Sequence, residues 1–138
     1  MKNIKLGALT IINKNSIDEY FPIKETSHVL INFNSDKSVH IIPFFEEIKR
    51  RQLDNYLNIF LNLGIHLRLD DLLGKLHIVI LKFLIDNKND EILIVNDVGF
   101  TSKSIVFLSD NVNLLLKNFN NKSVIIINSG NVSKLVID

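Results

Sequence analysis

The stretches ILIVND (Ile92 to Asp97), IVFLSD (Ile105 to Asp110) and VIIINSG (Val124 to Gly130) share one pattern. Each is a run of apolar, largely β-branched residues that stops at Asn, Ser or Asp, which predicts three β-strands with polar ends. Polar side chains at strand ends either bind a ligand or form ordinary turns and helix caps. The directions in which the three strands run bear on this choice.

The lengths of the connections predict those directions. Only residues 98 to 104 separate the first stretch from the second. Parallel neighbours need a crossover of roughly a dozen residues or more, so we expect these two strands to be antiparallel. Asp97 and Asp110 would then lie at opposite ends of the sheet, too far apart to act as an acid/base pair.

The second connection is longer and predicts a candidate ligand site. Residues 110 to 122 have room for a short helix in DNVNLLLKNF, and a βαβ unit would bring Asp110, Asn128 and Ser129 to one edge. Open α/β sheets bind ligands at such an edge. The alternative is that Asp110 caps the short helix and NSGN is a hairpin turn. We favour the alternative, because asparagine is abundant throughout this chain and is expected at strand ends anyway.

The N-terminal half predicts a first strand, a hairpin and a helix. SHVLINFNSDKSVHIIPF (residues 27–44) alternates apolar and polar residues around the turn NSDK, which is typical of a β-hairpin. The stretch from Phe44 to Leu63 has apolar residues at helical spacing, and Gly64 can supply a left-handed helix stop.

Residues 71–87 fit either a long strand or a helix. The β-branched centre suits a strand, but Asp71, Lys75, Lys82 and Asp86 recur at spacings of four and seven and share one helical stripe. We therefore favour a helix, with Asp70 or Asp71 as its N-cap. The whole chain, residues 1–138, is predicted to be a single α+β domain. Its mixed, mostly antiparallel sheet would carry two longer helices and one short helix in the C-terminal half.

Composition restricts the class of protein. The chain has 138 residues, 46% of them hydrophobic, and it has no cysteine, so disulfides, thiolate metal sites and cysteine nucleophiles are excluded. Its 16 basic and 15 acidic residues give a net charge of +1, too small to attract nucleic acid or anionic lipid by itself. These features predict a soluble, cytoplasmic protein that binds neither nucleic acid nor membrane.

The histidines predict no metal site. His28, His40, His66 and His77 are not spaced like the histidine ligands of known metal motifs. We interpret each of them as a surface or hydrogen-bonded side chain.

Two further motifs are interpreted as structural. HLRLDD places His66, Arg68 and Asp70 at alternate positions, so a strand would align them for phosphate binding or acid/base chemistry. An acidic pair is, however, already expected to cap the following helix. The basic run KRR (residues 49–51) has acidic residues one helical turn away from each arginine, which indicates a solvated face.

The absence of catalytic and cofactor motifs favours a non-enzymatic protein-binding module, such as a small inhibitor, an immunity-type protein or an assembly accessory. Its partner would be another protein or a second copy of the chain, with no cofactor. The alternative is a small-ligand or nucleotide-binding domain, or a hydrolase, that uses Asp110, Asn128 and Ser129. A nucleic-acid binder that uses residues 49–51 is a third, weaker interpretation.

Overall fold

The computed structural model describes residues 6–13, 28–32, 34–35, 38–39, 45–88 and 90–128. Within them lie these strands: β1 (Leu9–Asn13), β2 (His28–Asn32), β3 (Asn34–Ser35), β4 (Ser38–Val39), β5 (Ile92–Val98) and β6 (Ser123–Asn128). They also contain these helices: α1 (Arg50–Asn62), α2 (Leu72–Asp86) and α3 (Ser102–Leu116). None of the helices in this part of the chain has both the length and the apolar character required to cross a membrane.

The four longer strands form one parallel sheet in the order β1-β6-β5-β2. The predicted mixed, mostly antiparallel sheet is therefore wrong. All four strands end at the same edge of the sheet, which we call the carboxyl edge. Because α2 ends where β5 begins and α3 begins where β5 ends, both helices run away from the carboxyl edge.

One source of this error is the stretch IVFLSD. This stretch was predicted to be a strand, but it lies inside the 15-residue helix α3. The buried residues Ile105, Leu108, Val112 and Leu115 recur every three or four positions, which is the spacing of a helix face. The first seven residues of DNVNLLLKNF, predicted to be a short helix, form the second half of α3, which ends at Leu116. With all of α3 between them, β5 and β6 have the long crossover that parallel pairing needs.

Local signals at two helix ends are confirmed. Asp71 is the N-cap of α2, and its carboxylate accepts a hydrogen bond from the Gly74 amide at 2.8 Å. Gly64 has φ of 78°. The amides of Gly64 and Ile65 donate to the carbonyls of Leu61 and Phe60, both at 2.9 Å, which is the Schellman arrangement that closes α1.

The sheet is buried on both faces. One face packs against the three helices and contributes Ile11, Leu93, Val95, Val124 and Ile126 to the main core. The opposite face forms a second cluster of isoleucines: Ile12, Ile92, Ile94, Ile125 and Ile127. Burial of both faces is the usual state of a parallel sheet.

The predicted hairpin is only partly present. β2 pairs in parallel with β5, whereas the antiparallel hairpin is confined to β3 and β4, with Asn34 opposite Val39. The C-terminal stretch KLVID (residues 134–138), for which the sequence predicts a final strand, lies outside the described residues. Phe33 and Ile41 of the predicted hairpin also lie outside them.

Candidate functional site

An asparagine lies near the end of each strand of the parallel sheet. The pairing register places Asn13 opposite Asn128 and Asn32 opposite Asn96. Because parallel strands end together, these four positions follow one another along the carboxyl edge. Ligands of open parallel sheets bind outside such an edge.

The pairing of β5 with β6 becomes irregular at this edge. Val95 lies opposite Ile126, and Val98 lies opposite Asn128, so β5 has one residue more than β6 over this interval. Bulges of this kind interrupt a sheet and are frequent next to functional sites. The irregularity involves Asn96 and Asp97, the polar pair at the end of ILIVND.

The start of α3 also lies at this edge. Thr101 is the N-cap, and its hydroxyl accepts a hydrogen bond from the Ser104 amide at 3.4 Å. The positive end of the helix dipole and the exposed Lys103 in the first turn therefore favour negative charge here. Gly99, in the connection between β5 and α3, has no atom within 4 Å of the position that a Cβ would occupy.

The buried side chain of Asn128 has incomplete hydrogen bonding. It is 1% exposed, and its Nδ2 donates a long hydrogen bond of 3.5 Å to the carbonyl of Phe100. Its Oδ1 has no hydrogen-bond partner. A buried acceptor without a partner costs about 1 to 3 kcal/mol. No other side-chain nitrogen or oxygen buried within the described ranges lacks a partner.

The structure separates Asn128 from Asp110, two of the three residues of the predicted ligand site. Asn128 ends β6 at the carboxyl edge, but Asp110 is exposed on α3, more than two turns past the helix start. Asp110 is therefore not a helix cap, since Thr101 has that role. Ser129 lies outside the described residues. Sequence reasoning missed Thr101, although GFTSKS before a 3.6-residue apolar period is a recognisable helix start.

The HLRLDD motif does not form a strand: residues 66–68 have no regular secondary structure, and residues 69–70 form a turn. Arg68 and Asp70 make an exposed ion pair, with 3.0 Å between Nη2 and Oδ2. Their hydrogen bond raises the pKa of Arg68 and lowers the pKa of Asp70. The adjacent pocket has a volume of about 140 Å³. We call it the α2–α3 cleft; its lining residues are His66, Leu67, Arg68, Asp71, Leu73, Gly74 and Phe107.

His77, on α2, is fully buried where α2 faces α3, and it is hydrogen-bonded, which is one of the two situations predicted for the histidines. Its Nδ1 lies 2.7 Å from the Leu73 carbonyl, to which it donates, and its Nε2 accepts from Asn111 Nδ2 at 3.1 Å. Burial lowers the pKa of His77, because an imidazolium would lose its hydration. His77 is therefore a neutral residue that joins the two helices.

The described residues contain no cluster of three or more histidine, aspartate or glutamate side chains suited to a metal ion. His28 lies in β2, and His40 lies outside the described residues.

No family model, curated protein or solved structure that was compared with the chain matches it. Function is therefore inferred from geometry and chemistry alone.

Proposed function

We propose that the chain is a small-ligand-binding domain. Its ligand docks at the carboxyl edge of the sheet, between the ends of β5 and β6 and the first turn of α3. The observation that carries the proposal is the buried, unpartnered Oδ1 of Asn128 at this edge. An unpaired buried amide oxygen costs stability, and we infer that the missing partner of Asn128 Oδ1 arrives with the ligand.

The groups at the edge define the chemistry of the ligand. The Asn128 oxygen accepts a hydrogen bond, so the ligand presents an N–H or O–H group to it. The start of α3 and Lys103 favour an anionic group on the same ligand. Nucleotides carry both kinds of group, in the base or sugar and in the phosphate. Access to the buried oxygen requires the loop around Phe100 to shift, which breaks the long bond from Asn128 Nδ2.

Asn128→Leu tests the proposal. The purified protein is examined by thermal shift and native mass spectrometry with a panel of nucleoside mono-, di- and triphosphates. We expect at least one of them to raise the melting temperature of the wild type and to leave Asn128→Leu unaffected. Nucleotide binding that survives in Asn128→Leu, or a complete lack of binding to the wild type, would contradict the proposal.

Two lysines of α3 provide a matched pair for the anionic part. Lys103 lies in the first turn and Lys117 at the C-cap, and both are exposed. Lys103→Met should weaken nucleotide binding and reduce its dependence on salt, whereas Lys117→Met should do neither. Equal effects of the two variants would indicate nonspecific attraction.

Protein binding, the first expectation from the sequence, is a second proposal. It is favoured by Leu61 and Leu63 near the end of α1, which are 46% and 36% exposed. Large exposed apolar side chains can contribute to an interaction surface. Pull-down of the tagged protein from its own cells, compared with Leu61→Lys, tests it. If the wild type and Leu61→Lys capture a partner equally well, the surface around Leu61 is not the binding site.

A further inference from the structure

The α2–α3 cleft lies in the helix layer and does not involve the groups that support the proposed function. Its apolar walls are Leu67, Leu73 and Phe107. Its volume of about 140 Å³ is close to that of an apolar cavity, roughly 150 Å³, that accommodates benzene in another protein. The size of the cleft therefore fits a single aromatic ring.

Gly74, in α2, allows the segment before the helix to pack closely against it. A Cβ on Gly74 would lie 1.9 Å from the Arg68 carbonyl oxygen, so only glycine permits the turn to approach the first part of α2 this closely. This contact places Leu67 and Arg68 beside the cleft. The glycine is thus explained by the close approach that shapes the cleft wall.

Phe107 forms the wall on the α3 side. It is 42% exposed, and its ring centroid lies 5.3 Å from that of His77, at an angle of 58°. The neighbouring Val106 is 40% exposed but does not line the cleft. A half-exposed ring beside a ring-sized space presents a surface on which a second ring can stack or pack edge to face.

The charged groups favour an anionic substituent on that ring. Arg68 is the arginine among the lining residues, beside His66, and its exposed guanidinium pairs with Asp70, which is outside the lining. The lining carboxylate, Asp71, is engaged in capping α2 through Gly74, where the helix dipole stabilises its charge. Arginine binds carboxylates through its planar guanidinium, and the exposed pair with Asp70 exchanges readily with a ligand.

We propose that the α2–α3 cleft binds a small aromatic carboxylate of one ring, with the ring between Leu67, Leu73 and Phe107 and the carboxylate on Arg68. The ligand displaces Asp70 from the guanidinium. Benzoate is the probe, and benzamide is its neutral counterpart of the same shape.

The experiment is an amide chemical-shift titration of the full chain with each probe. We expect benzoate to give saturable shifts confined to residues 66–74 and the surroundings of Phe107, and to bind several-fold more tightly than benzamide. Phe107→Ala should weaken benzoate binding several-fold, while Val106→Ala, equally exposed, should not. Arg68→Gln should abolish the preference for benzoate over benzamide.

Asp70→Asn should change benzoate binding in the opposite direction from Phe107→Ala. Removing the carboxylate that competes for Arg68 should strengthen benzoate binding and leave benzamide binding unchanged. The proposal is overturned by shifts that do not saturate, by equal losses in Phe107→Ala and Val106→Ala, or by weaker benzoate binding in Asp70→Asn. Folding of each variant is checked from its spectrum, and all of the substituted positions are exposed.

Discussion

The interface between α2 and α3 and the carboxyl edge of the sheet each contain a buried asparagine, but they satisfy it differently. Asn111, 7% exposed, donates to His77, which in turn donates to the Leu73 carbonyl. Asn128, 1% exposed, has a free amide oxygen and one long hydrogen bond. The bond from Asn111 links two helices through His77, whereas the free oxygen of Asn128 is the basis of the ligand-binding proposal.

The largest effect is expected at Gly74, one turn before His77 on α2. Gly74→Ala would drive a Cβ into the Arg68 carbonyl, so the turn must move away from the helix. We expect a loss of at least about 3 kcal/mol in the free energy of unfolding, measured by denaturant titration.

Gly64→Ala is the matched control for that substitution. Gly64 has φ of 78° but no atom near its Cβ position, so the variant should lose only about 1 kcal/mol, from backbone strain. Equal losses in the free energy of unfolding of the two variants would show that the close contact with the Arg68 carbonyl does not add to the cost of replacing Gly74.

Asn111→Leu should have the next largest effect. It leaves His77 Nε2 buried without a donor, and we expect a loss of about 2 kcal/mol in the free energy of unfolding. A double-mutant cycle with His77→Leu should recover part of this loss, because no polar group is then left unpaired. Additive losses would mean that the two side chains do not interact.

The pH dependence of the free energy of unfolding should depend on His77, at the interface between α2 and α3. The folded state lowers the pKa of His77, so the unfolded state binds a proton more readily. In the unfolded state the pKa of His77 is about 6.5. As the pH falls below that value, the free energy of unfolding should therefore decrease, by up to about 1.4 kcal/mol per pH unit. The decrease should end once the pH is below the pKa of His77 in the folded state.

Unfolding titrations at about pH 7.5 and about pH 5.5 measure this slope. The slope should become shallower in His77→Gln. It should persist in His66→Gln, which changes an exposed histidine. Identical slopes in the wild type and His77→Gln would contradict the assignment.

The smallest effect on stability is expected at Asn128. Asn128 makes one long hydrogen bond and leaves its Oδ1 unpaired, so we expect its replacement by an apolar group of similar size to be close to neutral, or to stabilise by about 1 kcal/mol. Asn128→Leu should therefore keep or raise the denaturant midpoint, unlike Asn111→Leu. A large loss would show that Asn128 supports the fold, and would remove the main argument for a ligand at the carboxyl edge.

Several elements of the fold could be predicted from the sequence because their signals were local. Asp71 as a cap, Gly64 as a stop and the helical stripe of α2 depend on neighbours within a few residues, and the structure confirms them. β5 and β6 were also recognisable, as short apolar runs. Their continuous apolar character, without alternation, was a signal for a parallel sheet buried on both faces, and it was not used.

The carboxyl edge could be predicted only in part. Asn128 was recognised as a strand-end residue, but it was grouped with Asp110, which lies on α3. Ile105, Val106 and Phe107 have a strong preference for strands, and the prediction followed that preference. The residues that continue the helical period lie beyond Asp110, where the predicted strand ended. Packing of Ile105, Leu108 and Val112 into the core outweighed local propensity.

The sequence by itself determined the local elements: where α2 begins, where α1 stops, and that β5 and β6 are strands. It also determined that no cysteine chemistry is present. Only the tertiary structure decided that the sheet is parallel, that Asn111 is paired and that Asn128 is not. The reason is physical: caps and turns are closed by neighbours in the chain, whereas strand partners and the bonds of buried side chains come from residues far away in sequence.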